Sequence, residues 1–172
     1  MTRPVFTSSG SWWLWIGIAG LIIVLDQAFK QAIAELMPYG ASSVVTPFFN
    51  LVHVRNPGAA FSFLADAGGW QRYMFSALGI GVSAVLAWLL RRGVASRMET
   101  AAYILIMGGA LGNVADRIAR GFVVDYLDFH WRGWHWPAFN LADVSITAGA
   151  SLIILASLRL RESKADRPGT AA

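Results

Sequence analysis

The chain has 172 residues, 56% of them apolar and 14% charged, with a mean hydropathy of +0.51, a composition for which lipid is a better solvent than water. Its net charge of +4 is not laid out as a basic stripe on a soluble face, which excludes a nucleic-acid partner. It has no cysteine, which excludes a thiol nucleophile, a thiolate metal site and disulfides and leaves the chemistry to oxygen and imidazole groups.

A helix crossing the hydrocarbon needs about 20 mostly apolar residues, and the first such stretch runs from Trp12 to Ile33. Arg3 ahead of it resembles a signal-peptide flank, but the run is too long and no small-x-small cleavage site follows, so it reads as a retained signal anchor. Asp26 and Lys30 stand four apart near its far end, share a helix face and neutralise one another there.

The next segment, 34–72, is not helical in pattern. Leu51 to Asn56 is rich in β-branched residues and reads as a strand. Ala59 to Leu64 reads as a short interfacial amphipathic segment, and a loop through Gly68 and Gly69 leads onward.

A second span is predicted over Tyr73 to Leu90 and a third over Thr100 to Ala119, with Arg91, Arg92 and Arg97 crowding the link between them. Gly108, Gly109 and Gly112 give the third span a small-residue face on which another helix backbone can come close. Asn113, Asp116 and Arg117 follow on one turn at its far end, either bracing the loops above or touching a substrate.

In the segment 120–138, Phe122 to Phe129 reads as a second strand that pairs with the first. Asp128, His130 and His135 match no strong zinc pattern and read as part of an exposed loop, so no metal is expected. No Gly-x-Ser-x-Gly turn accompanies the histidines, which argues against serine catalysis. A fourth span, Phe139 to Leu158, opens with Asn140 and Asp143 and is followed by Arg159, Arg161, Lys164 and Arg167.

Lys and Arg concentrate in the link between spans two and three and in the tail, which predicts cytoplasmic termini. Arg120 and Arg132 make the loop after span three less one-sided. Trp12, Trp13, Trp15 and Trp88 then mark inner ends, and Trp70, Trp131, Trp134 and Trp136 outer ends.

An ionised side chain at mid-bilayer costs about 2.5–3.5 kcal/mol on insertion scales, so charged residues within spans require a reason. With alternating span direction, Asp26, Lys30, Asn113, Asp116, Arg117, Asn140 and Asp143 all fall at one outer level, which predicts a single polar site there. An ion-conducting transporter would instead spread acids through the depth and show repeated halves, and no repeat is visible.

Asp125 approaches that level from the strand side and Asp143 from the helix side. Two carboxylates brought close share one proton, so one deprotonates water while its neutral partner polarises a carbonyl. Spacing alone does not establish that they meet, and Asp116 competes for the role.

The blocks Asp26-Gln27-Ala28-Phe29-Lys30, Asn56-Pro57-Gly58-Ala59-Ala60-Phe61, Gly108 to Arg117, Val123-Val124-Asp125-Tyr126 and Phe139-Asn140-Leu141-Ala142-Asp143 occur in the order found in one family. In them the chain resembles bacterial lipoprotein signal peptidase, or signal peptidase II, over nearly its full length. Tyr126, where related chains often have Phe, and Pro57 are mild variations that remove no reactive group.

The resemblance implies an all-α membrane protein in one domain, 1–172, with four transmembrane helices, a small extracytoplasmic β-sheet or cradle and the short interfacial segment. It implies catalysis by Asp125 and Asp143, with Asp26, Lys30, Asn56, Gly58, Asn113, Asp116, Arg117 and Asn140 shaping the site and no cofactor. The implied substrate is a prolipoprotein signal peptide, cut on the amino side of a cysteine carrying a diacylglyceryl group. Membrane lipids are the other implied partners, and the chain is expected to work as a monomer in the bacterial inner membrane, with its site near the outer leaflet.

Overall fold

The computed structural model describes residues 9–58, 63–64, 67–94 and 96–165. Among these, four helices are long and apolar enough to cross a membrane: α1 (Ser9–Leu36), α2 (Gln71–Arg92), α3 (Arg97–Arg120) and α4 (Leu141–Ala165). At 22 to 28 residues they extend about 33–42 Å, enough for a hydrocarbon layer of about 30 Å. The expected amphipathic segment falls largely outside the described residues.

Local chemistry ends these helices where the chain must turn. Ser96 caps α3 by accepting the Glu99 N–H at 3.1 Å, which satisfies one of the orphan amides of the first turn. Gly121, at φ +84°, closes its other end by donating to Arg117 O, a left-handed position that glycine adopts without strain.

Four strands form one antiparallel sheet in the order β1 (Ser42–Thr46), β2 (Phe49–Asn56), β3 (Val123–Trp131), β4 (Trp134–His135). The central β2–β3 pair is the expected one, with Asn56 opposite Val123 and Phe49 opposite Phe129. The flanking strands β1 and β4 were not expected. Asp128 and His135 correct the loop expectation: Asp128 is buried on β3, and His135 on β4 meets it at 2.9 Å. Burial alone would raise the Asp128 pKa, but the Asn50 amide and His135 outweigh it and hold the carboxyl below its usual range. A single bridge, Leu127 to Phe139, binds β3 to the segment entering α4.

Helix α3 is the hub, packed against α1, α2 and α4. Its glycines permit this: a Cβ on Gly108 would lie 2.9 Å from Ile22, one on Gly109 would lie 2.3 Å from Ala142 O, and one on Gly112 would lie 2.7 Å from Asp26 Oδ2. The small-residue face therefore serves both α1 and α4. A buried apolar cluster of Ala19, Leu90, Val94 and Ile104 fills the end of the bundle away from the sheet, while Leu78, Ile80, Val85, Ile154 and Leu158 stay exposed, as lipid-facing side chains do.

Gly109→Ala forces α3 from the α4 backbone and should destabilise the protein by about 1–3 kcal/mol. Gly81, whose added Cβ would meet nothing within 4 Å, should tolerate alanine or gain up to about 1 kcal/mol. Thermal unfolding of the two purified variants in micelles compares them directly.

Candidate active site

The site is built where β3 and the first turn of α4 meet. Asn140 precedes α4 and accepts the Asp143 N–H on Oδ1 at 3.0 Å, while Asp143 Oδ2 accepts the Asn140 N–H at 3.2 Å. This is a capping box, in which two orphan amides are satisfied reciprocally. The Asn140 Nδ2 then donates to Asp125 Oδ1 at 2.6 Å. Asn140 thus reaches both carboxyls, Asp125 through its side-chain amide and Asp143 through its backbone N–H.

The remaining N–H groups of that turn are also occupied. Leu141 N–H donates to the Tyr126 hydroxyl at 3.2 Å and Ala142 N–H to Asp26 Oδ1 at 2.9 Å. Burial pushes the Tyr126 phenol up to about 12, so it stays neutral.

Asp125 is only 2% exposed, and its second oxygen accepts from Asn56 Nδ2 at 3.0 Å. Burial first, and the charge of Asp143 second, push Asp125 up to about 7, against the pull of Asn56, Asn140 and Lys30. Asp143 is less enclosed, and its Oδ1 accepts from Asn113 Nδ2 at 2.8 Å.

Behind the acids lies a charged lattice. The Lys30 ammonium, fully buried, meets Asp26 Oδ2 at 2.8 Å, Asp116 Oδ2 at 3.2 Å and Asn113 Oδ1 at 2.8 Å. All three of its donors are used. Asp116 also pairs with Arg120 and accepts the Val124 N–H at 3.0 Å. Asp26 therefore holds the residue beside Asp143, and Asp116 holds the residue beside Asp125.

Asn56 Oδ1 accepts the Gly58 N–H at 3.0 Å, and Gly58 O accepts from Arg117 Nη2 at 2.7 Å. Arg117 lies over the Phe75 ring at 5.2 Å. This fastens the turn after β2 to the end of α3.

A cavity of about 700 Å³ opens over the acids, lined in part by Asn56, Asn113, Arg117, Asp125 and Asp143. Its wall continues along α4 through Thr147 and Ser151 and along the segment entering α4 from Trp136 to Phe139. Every expected site residue is in this region, but of them only Asn56, Asn113, Arg117, Asp125 and Asp143 line the cavity, while Asp26, Lys30, Gly58, Asp116 and Asn140 support it from outside the lining. Asp116 is engaged by Lys30, Arg120 and the Val124 N–H.

Three contributors escaped the sequence. Arg120, read as a loop charge, sits in the last turn of α3, pairs with Asp116 and donates to Gln27 and Gln31 of α1. Its spacing of four from Asp116 was the available signal. The Tyr126 hydroxyl contact and the Trp136 to Phe139 wall depend on tertiary packing and carried none.

A family model for signal peptidase (SPase) II matches residues 18–159. The chain belongs to the signal peptidase II family. It is 58% identical over 146 residues to a lipoprotein signal peptidase of Cupriavidus necator, covering 85% of this chain and 83% of that one. It is 54% identical to one of Aeromonas hydrophila, covering 93% and 96%. A bacterial membrane enzyme structure solved in meso at 2.3 Å superposes with a TM-score of 0.82 at 32% identity over 99% of both chains. The signal peptidase II family makes this chain a peptidase and a multi-pass membrane protein.

In this signal peptidase II chain, Lys30→Met leaves Asp26 and Asp116 short of a buried cation and should cost about 3–5 kcal/mol. Adding Asp26→Asn should recover part of that loss. Both are read from unfolding in micelles, and an unchanged single variant would contradict the lattice.

Proposed function

We propose that the chain is an aspartic endopeptidase that removes the signal peptide from diacylglyceryl-modified bacterial prolipoproteins. The observation that carries this reading is the pair of carboxyl groups on β3 and α4, bonded by one residue and facing one cavity: the Asn140 side-chain amide donates to Asp125 and the Asn140 backbone N–H to Asp143. Both termini lie on the cytoplasmic side in this reading, with the sheet and the site at the outer leaflet. The chain works as a monomer.

The pair carries one proton near neutrality, and the Asp125 value of about 7 supports its persistence there. The ionised carboxylate takes a proton from water as the oxygen attacks the scissile carbonyl, and the neutral acid protonates the carbonyl oxygen. The tetrahedral species collapses as the C–N bond breaks and the leaving nitrogen receives a proton. The new carboxyl stays on the signal peptide, and the amine on the lipidated cysteine.

The cavity suits a substrate anchored in lipid. Asp143, Thr147 and Ser151 are four apart and share one face of α4, so the wall descends about 12 Å below the acids. Helix α2 rests on α3 with no comparable packing on α4, which leaves that face accessible from the bilayer. Ser151 donates back to Thr147 O, so its hydroxyl is satisfied there. A lipid anchor would hold the peptide bond at the depth of the carboxyls and spare the positional entropy of capture.

Asp125→Asn and Asp143→Asn should each lower cleavage of a diacylglyceryl-modified prolipoprotein by about 10²- to 10⁴-fold while remaining folded, at a cost of about 1–3 kcal/mol for the opposed donors. Wild-type turnover by either purified variant would reject the acid pair and favour a scaffold role for the polar cluster. For the wild type, kcat/KM should fall as pH rises through about 7, because deprotonation of the raised Asp125 removes the acid partner. A rate profile from pH 5 to pH 9 reads this limb (range about neutrality).

A further inference from the structure

Alternation along β3 places Asp125, Leu127, Phe129 and Trp131 on one face of the strand. That face carries an aromatic trough of about 410 Å³, lined in part by Phe48, Phe129, Trp131 and Trp134, which shares Trp136 and Phe139 with the catalytic cavity. Trp131 is 66% and Trp134 62% exposed. The rings form two contacting sets, Phe49 to Phe129 at 4.9 Å with Phe129 to Phe139 at 5.9 Å, and Trp134 to Trp136 at 5.9 Å.

The surface is held open by its frame. Trp131 pairs with Trp134 across Arg132 (φ +50°) and Gly133 (φ +82°), two positive-φ residues of the kind a two-residue type I′ hairpin requires. Asp128, bound by Asn50 at 2.8 Å and His135 at 2.9 Å, ties β4 and β2 to β3. The hairpin therefore fixes the backbone that carries the indoles and the face of the sheet on which they stand.

Such a patch is costly in water, but indole rings settle where hydrocarbon gives way to headgroups. Continuity selects lipid as the occupant: the trough wall runs through Trp136 and Phe139 into α4, whose Val144, Ile154, Leu155 and Leu158 are exposed apolar side chains of a membrane span. Arg132, exposed at the hairpin tip beside two indoles, is a cation suited to a lipid phosphate.

We infer that the β3–β4 hairpin is an interfacial foot, its aromatic face seated in the headgroup and glycerol layer of the phospholipid leaflet on the side of the site. Asp125 lies on the same face of the same strand, so the seating sets the height of the carboxyls. This consequence for activity rests on the proteolytic reading, whereas the seating itself does not.

The native chain has no cysteine, so Arg132→Cys provides a unique site for a nitroxide while keeping the three indoles. In phospholipid vesicles, collision of the label with oxygen, which concentrates in lipid, is compared with collision with a nickel chelate confined to water. The ratio at 132 should fall between that of a label at Val85→Cys, on the exposed face of α2, and that of free nitroxide in water. Adding Trp131→Ser and Trp134→Ser should shift it to the aqueous value without changing the unfolding temperature. A label already aqueous with the indoles present overturns the inference, as does dipolar broadening that places a second copy on this face. In the unlabelled chain, the double Trp variant should lower kcat/KM on vesicle-borne substrate by about three- to tenfold, and an unchanged value overturns the height-setting role. Failure of the proteolytic reading would appear separately, as a wild type without turnover.

Discussion

The arrangement depends on the cancellation of one buried charge. A lone ammonium in a bilayer-spanning helix is untenable, and Lys30 is tolerated because Asp26, Asp116 and Asn113 occupy its three donors. Asp26 turns its other oxygen to the Ala142 N–H of α4, and Asp116 Oδ2, which meets Lys30, also accepts the Val124 N–H of β3. The compensation of Lys30 thereby becomes the scaffold that sets the two acids.

The groups in direct contact with those acids are of a different kind. Asn56, Asn113 and Asn140 are neutral amides, which orient a carboxyl without clamping it in the ionised form as a bound guanidinium would. Arg117, the nearest basic side chain in the cavity wall, spends its Nη2 on Gly58 O. In the proposed mechanism, this separation of full charges behind from amides in front is what would let the carboxyl pair share a proton.

Much of this was legible in the sequence because it follows from hydropathy and parity. Span length and alternating direction sufficed to bring Asp26, Lys30, Asn113, Asp116, Asn140 and Asp143 to one level, and the residues of the β2–β3 pair announced themselves by composition. The short strands β1 and β4 did not, since Ser42–Thr46 is nearly all exposed and Trp134–His135 has only two residues. Arg120 was misread because a charge beyond a hydrophobic run looks like a loop residue until its partner four positions back is seen to be buried. The double use of Asn140 was invisible for another reason: a cap is a local pattern, but its second bond crosses to a strand fifteen residues earlier.

The Asn140 side chain has two chemically distinct ends, and its neighbours accept only one orientation: the oxygen faces an amide of α4 and the nitrogen faces Asp125. Turning it over would oppose donor to donor and acceptor to acceptor. The two acids are therefore inequivalent before any ligand arrives, one on an enclosed strand and one on the rim of a helix. In the proposed reaction a polypeptide, itself directional, would meet a handed cleft, and the polarity of its chain would be tested along with its shape.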